Sequence, residues 1–176
     1  MARDFPDWIN PRAAAEGRRT FQGTIPLQRF KRLEALLEDD ASLGNDEVGF
    51  KARFALDEER RVIIDLDVTA EVAMLCQASL EPYCQVLQRH SRLGVIDDEA
   101  EMKLLPESYD PVLTENGRLA IQALVEEELL LALPQVPRNP DLQAVRFSTG
   151  SENTEEHGPS KPNPFAKLRD QLAKKN

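Results

Sequence analysis

The sequence predicts an α+β fold: an antiparallel β-sheet with helices packed against it, followed by a flexible C-terminal arm. Three observations carry this. From Gly49 onward apolar residues alternate with polar ones, the period of strands with one buried face. Stretches opened by Pro26 and Ile121 instead place their leucines at helical spacing. From Arg138 to Ser160 the chain is polar and rich in Asn, Ser, Glu, Gly and Pro, which is the composition of a linker.

"NPRAAAEG" reads as a short helix with Pro11 at its start and Gly17 at its end. "RRTFQGTI" follows as a strand. "PLQRFKRLEALLED" then sets Leu27, Phe30, Leu33, Leu36 and Leu37 along one side of an expected amphipathic helix. In "FKARFAL", Phe50, Ala52, Phe54 and Leu56 share one face. Across the "DEER" turn, Val62, Ile64, Leu66 and Val68 face one way and Asp65 and Asp67 the other, a hairpin pattern. "EPYCQVLQRHSRLGVI" predicts a further strand carrying Tyr83, Val86, Leu87 and Val95, although its alternation is poor. The acidic "DDEAE" and "PESYDP" mark a long loop, and "VLTENGRLAI" a short strand and turn. The last helix of the domain holds "LVEEELLLALPQVP" and is stopped by Pro134 and Pro137. The organisation is therefore a domain over residues 1–137, a polar linker over 138–160 and a short basic helix or docking motif over 161–176.

A chain of 176 residues, 41% hydrophobic, can bury a core within one domain. No run of about 18 apolar residues is present, so no membrane span is expected. "MARDFPDWINPR" lacks the apolar stretch of a secretory signal, and the expected compartment is the cytoplasm. There Cys76 and Cys84 are expected as free thiols. The net charge of −9 is unevenly spread. Met1–Arg32 holds seven basic and three acidic residues, and Lys161–Asn176 five basic and one acidic, so the middle carries −17. Such a middle suits a basic protein partner, while the basic ends can touch RNA phosphates.

Candidate chemistry is sparse. "CQASLEPYC" spaces its cysteines too far apart for a usual zinc pair, and no second Cys/His pair accompanies it. His90 and His157 are isolated, glycines are scattered singly, and no serine lies in a nucleophile elbow. No metal or cofactor is expected. The three adjacent glutamates differ on a helical wheel. Taken from Ile121, Glu126 and Glu127 fall on the half opposite Leu124, Val125, Leu129, Leu131 and Ala132, and look solvated. Leu130 falls on that polar side as well. Glu128 lands within the apolar stripe. A carboxylate there costs several kcal/mol unless paired or hydrogen-bonded. One reading is a buried acceptor for backbone N–H groups or an arginine; the other is a partner-binding acid at the edge of a hydrophobic groove. A catalytic acid is disfavoured, because the same helix offers no second inward acid or histidine. Arg18 and Arg19 are candidate RNA contacts, or else simply offset an acidic protein. Lys161, Asn163, Pro164, Phe165 and Leu168, in "KPNPFAKL", read as a tethered docking peptide, or as a segment folding back on its own domain.

The order "LPESYDP", "GRLAIQALVEEELLLALPQVP", "KPNPFAKL" resembles the YceD family, the large ribosomal RNA subunit accumulation proteins of bacteria and plastids. "RTFQGTIPL" and the "CQASLEPY" region are similar in placement, so the resemblance covers nearly the whole chain. It implies a role in 23S rRNA accumulation, through synthesis, processing or stability, with no catalytic activity established. Many members carry CxxC where this chain reads "CQAS", and some carry His or Cys after the VP where this chain reads "RNPDL". The expected function is therefore a non-enzymatic ribosome-biogenesis factor. Its expected partners are ribosomal precursor RNA, a basic ribosomal protein, or an assembly factor. The alternatives are an RNA-processing enzyme centred on Glu128 and a protein adaptor without RNA contact.

Overall fold

A computed structural model describes residues 5–40 and 42–142. The elements run β1 (Trp8–Ile9), α1 (Pro11–Glu16), β2 (Thr20–Pro26), α2 (Lys31–Glu34), β3 (Glu47–Leu56) and β4 (Val62–Leu75). They continue with β5 (Pro82–Ile96), β6 (Asp110–Leu113), β7 (Leu119–Ala120) and α3 (Ile121–Ala132). Strands β2 to β6 form a five-stranded sheet in sequence order, and β1 pairs with β7 in a separate ribbon. The architecture is the α+β arrangement expected from sequence, with one departure. The β5–β6 pair is parallel, because residues 97–109 cross from one end of the sheet to the other before β6 begins.

Alternation sets the sheet's two faces. Phe50, Ala52 and Phe54 on β3 and Ile64, Leu66 and Val68 on β4 are buried on the inner face, where they meet Ala14 and Ala15 of α1 and Val125 and Leu129 of α3. Burying each such large side chain is worth about 1.5–3 kcal/mol. On the outer face the register rows are polar: Gln22, Lys51, Asp67 and His90 stand side by side, and so do Thr20, Arg53, Asp65 and Arg92. The 97–109 crossover covers one end of this outer face. Gly94 makes room for it, since a Cβ there would lie 2.8 Å from Leu105 Cδ2. Arg61 and Arg92 approach the Tyr109 ring at 5.9 and 5.5 Å.

The β3–β4 turn is built by Asp57. Its Oδ1 accepts from the N–H groups of Glu59 and Arg61, and its Oδ2 from Arg61 Nε at 2.7 Å. Burial pushes the Asp57 carboxyl upward, but these bonds outweigh it and hold the group below the usual carboxylate range.

The single helix expected from Pro26 is instead two pieces. A 3-10 turn spans Leu27–Arg29, Phe30 takes φ −95° and ψ 79°, and α2 starts anew at Lys31. The break lets Phe30 and Leu33 both be fully buried, whereas Leu36, which the helical pattern placed with them, is 58% exposed. The free donors at the new start, the Arg32 and Leu33 N–H groups, are taken by Glu126 Oε1 at 2.8 and 3.4 Å.

Candidate binding groove around Glu128

Helix α3 is held at both ends. The Ile121 N–H bonds Asp7 O at 3.2 Å at its start, and Pro134 follows its end. Its inward residues are Ile121, Leu124, Val125, Glu128 and Leu129. Two expected positions differ: Leu131, placed in the stripe, is exposed, and Leu130, placed on the polar side, is half-buried. The helix is seated with its buried face rotated toward Leu130, because α2 docks along that side through Glu126. The expectation that Glu126 and Glu127 are a solvated face holds for Glu127, which pairs with Arg32 in the open at 2.9 Å. Glu126 is half-buried and caps α2.

Glu128 is 4% exposed. Its Oε2 accepts Arg89 Nε at 2.6 Å and the Ser91 hydroxyl in a very short contact. Arg89 also lies 3.7 Å from Asp110 on β6. The inward positions of β5 run Tyr83, Gln85, Leu87, Arg89, Ser91 and Leu93, while Val86 points out. Arg89 and Ser91 were missed by sequence reasoning, although the poor alternation of β5 was their signal. Polar groups occupy inward slots there because a carboxylate from α3 meets them. Among the described residues, no buried side-chain nitrogen or oxygen lacks a partner.

The pair forms the floor of a cleft of about 610 Å³ between α3, β5, β6 and the 115–118 turn. That turn is tight: Asn116 and Gly117 take φ +52° and +69° between bridged Glu115 and Arg118. Ser91 is itself buried, and among the described residues no histidine joins the network.

Arg18 and Arg19 lie at the α1–β2 turn, exposed, with Arg18 at φ +48° and the Arg19 carbonyl accepting from Phe54 N–H at 2.9 Å. No hydrogen bond or ion pair among the described residues links either to Glu128. Lys161, Asn163, Pro164, Phe165 and Leu168 lie outside the described residues, as does most of the expected linker.

Cys76 and Cys84 are free, the first buried and the second exposed. Cys76 Sγ accepts the Asn139 N–H at 3.3 Å, and Gln77 N–H bonds Pro137 O at 2.9 Å, so the chain after α3 is strapped to the β4–β5 turn. The Asn139 N–H, followed by the Ser79 hydroxyl, draws the Cys76 thiol down to about 7 against the opposing effect of burial. Burial pushes the nearby Tyr83 phenol up. A usual zinc ligand set is not met here: Ser79 stands three residues after Cys76, and Arg138 follows the VP. Among the described residues no three His, Cys, Asp or Glu side chains gather as a metal site. No described helix is long and apolar enough to cross a membrane.

A family model, "Large ribosomal RNA subunit accumulation protein YceD", matches residues 64–171, which include Cys76, Arg89, Ser91 and Glu128. The large ribosomal RNA subunit accumulation protein YceD of Haemophilus influenzae is 28% identical over 171 residues, covering 93% of this chain and 94% of the relative. No solved structure matches the chain. With more than half its length under the family model, and a relative aligned nearly end to end, the chain belongs to the YceD family of large ribosomal RNA subunit accumulation proteins.

Proposed function

We propose that this protein supports 23S rRNA synthesis, processing or stability, and so large-subunit biogenesis in the cytoplasm, as a binding factor and not as an enzyme. Its partners are ribosomal precursor RNA, a basic ribosomal protein, or an assembly factor. The observation that carries the non-catalytic reading is the state of Glu128: the one inward carboxylate of α3 is spent on Arg89 and Ser91. A general acid or base needs a free proton-transfer path to substrate, and this carboxylate's hydrogen bonds run into the sheet. A second reading, an adaptor that never touches RNA, is favoured by the net charge of −9, which repels phosphates.

Depleting the protein in cells is expected to lower mature large-subunit rRNA relative to small-subunit rRNA, as read by quantitative RNA sequencing. An unchanged ratio would sink the rRNA role. Purified protein incubated with precursor rRNA is expected to leave it intact. Cleavage that disappears in Glu128→Gln would establish the enzyme instead. Crosslinking in cells separates the adaptor: absence of any RNA adduct would favour it.

A further inference from the structure

We infer that the cleft above the Arg89–Glu128 pair is a docking groove for a basic, amphipathic protein segment, one that places apolar residues inside and Lys or Arg side chains on the rim. This rests on the rRNA reading above and identifies one class of partner for it.

The groove's apolar surface is open to solvent. Leu113 and Leu131 line it at 48% and 58% exposure, with Leu93, Leu119 and Leu124 also in its wall. Trp8, the cross-strand partner of Ala120, is 48% exposed on the β1–β7 ribbon. Large apolar side chains left open around a concavity on a soluble protein mark a contact site.

The charge around that surface selects the occupant. Asp110, Glu115, Glu127 and Glu128 line the cleft against Arg89 and Arg118, leaving two more acids than bases. Arg89 is committed to Glu128 and Asp110, and Glu127 to Arg32. With −9 on the whole chain behind it, this rim repels phosphates and attracts Lys and Arg. RNA therefore does not fit here. A second copy does not fit either, because symmetric pairing would bring like rims together. Strand addition to β6 is blunted by Pro111, which has no N–H to donate on this edge strand. The occupant binds through side chains in the groove.

The test uses the full-length chain in cells, with a photoreactive phenylalanine analogue in place of Leu131. The control position is Leu80, exposed on the β4–β5 turn. The expected adduct at 131 is a protein segment whose apolar residues are flanked by Lys or Arg, enriched at least about tenfold over position 80. Glu115→Lys with Glu127→Lys is expected to cut that yield by about tenfold, with the unfolding midpoint checked on the purified variants. Leu113→Ser serves the same purpose if the double reversal does not fold. Adducts to RNA, to another copy of this chain, or to a segment without cations would each overturn the proposal. So would a yield indifferent to both variants, or no enrichment over position 80. If depletion lowers large-subunit rRNA but the groove gives no such adduct, the groove assignment fails and the rRNA reading stands. If depletion leaves rRNA unchanged, that reading fails while the adduct still reports on the groove.

Discussion

Glu128 and Arg89 are unequal partners. The glutamate side chain is 5% exposed and the arginine 32%, so the arginine can reach water if its partner is removed and the glutamate cannot. Removing Arg89 therefore strands a buried carboxylate, and Arg89→Ala is expected to lower stability by about 3–5 kcal/mol. Replacing both, Arg89→Leu with Glu128→Leu, is expected to lose less than that single change, because no unpaired charge remains. Urea unfolding of the full chain measures each. A loss under about 1 kcal/mol in Arg89→Ala would mean that the carboxylate finds other solvation and the pair is not what holds it. The wheel position of Glu128 was legible in sequence because it depends on local helical geometry alone. Its partner was not. Arg89 is reached across 39 residues of chain, through a sheet register that a single segment does not encode.

At the scale of elements, the break before α2 shows how a neighbour overrides a local pattern. Leucine spacing from Leu27 to Leu37 favours one helix, yet the start of α2 is capped from α3 by Glu126. Losing a side-chain cap typically costs about 0.5–2 kcal/mol, so Glu126→Ala is expected to destabilise by roughly 1 kcal/mol and to speed amide exchange at Arg32 and Leu33. Glu127→Ala, which breaks only an exposed pair with Arg32, is expected to cost less than about 0.5 kcal/mol. Equal losses from the two variants would refute the capping role. The same contrast separates the strands that were legible from those that were not. β3 and β4 announce themselves because their inward residues are all apolar. β5 hides behind Gln85, Arg89 and Ser91, inward residues whose polarity makes sense only once α3 is in place. The parallel pairing of β6 could not be read from four residues containing a proline.

For the molecule as a whole, sequence showed charge segregated along the chain, whereas folding redistributes it. Of the N-terminal cations expected to reach outward, Arg32 lies against Glu127, while Arg18 and Arg19 stay exposed at the α1–β2 turn. Four acidic residues of the middle, Asp110, Glu115, Glu127 and Glu128, line the groove with exposed Leu131. The groove is also built on the weakest part of the sheet. β4 is paired by β3 over Val62–Thr69 and by β5 over Ile63–Leu75, while β6 contributes four register pairs at an edge, reached by the 97–109 crossover. Local opening should follow that gradient. Amides of β4 near Leu66 are expected to exchange slowest, and those of β6 near Val112 at least about tenfold faster, as read by hydrogen exchange in the full chain. Exchange in β6 as slow as in β4 would show that the crossover clamps this edge rigidly. A docked basic segment resting on Leu113 and Leu131 stabilises the open edge by binding only its closed form, so protection should rise most in β6 and little in β4. The edge strand with the fewest register pairs in the five-stranded sheet is thereby the one whose order most directly reports occupancy of the groove.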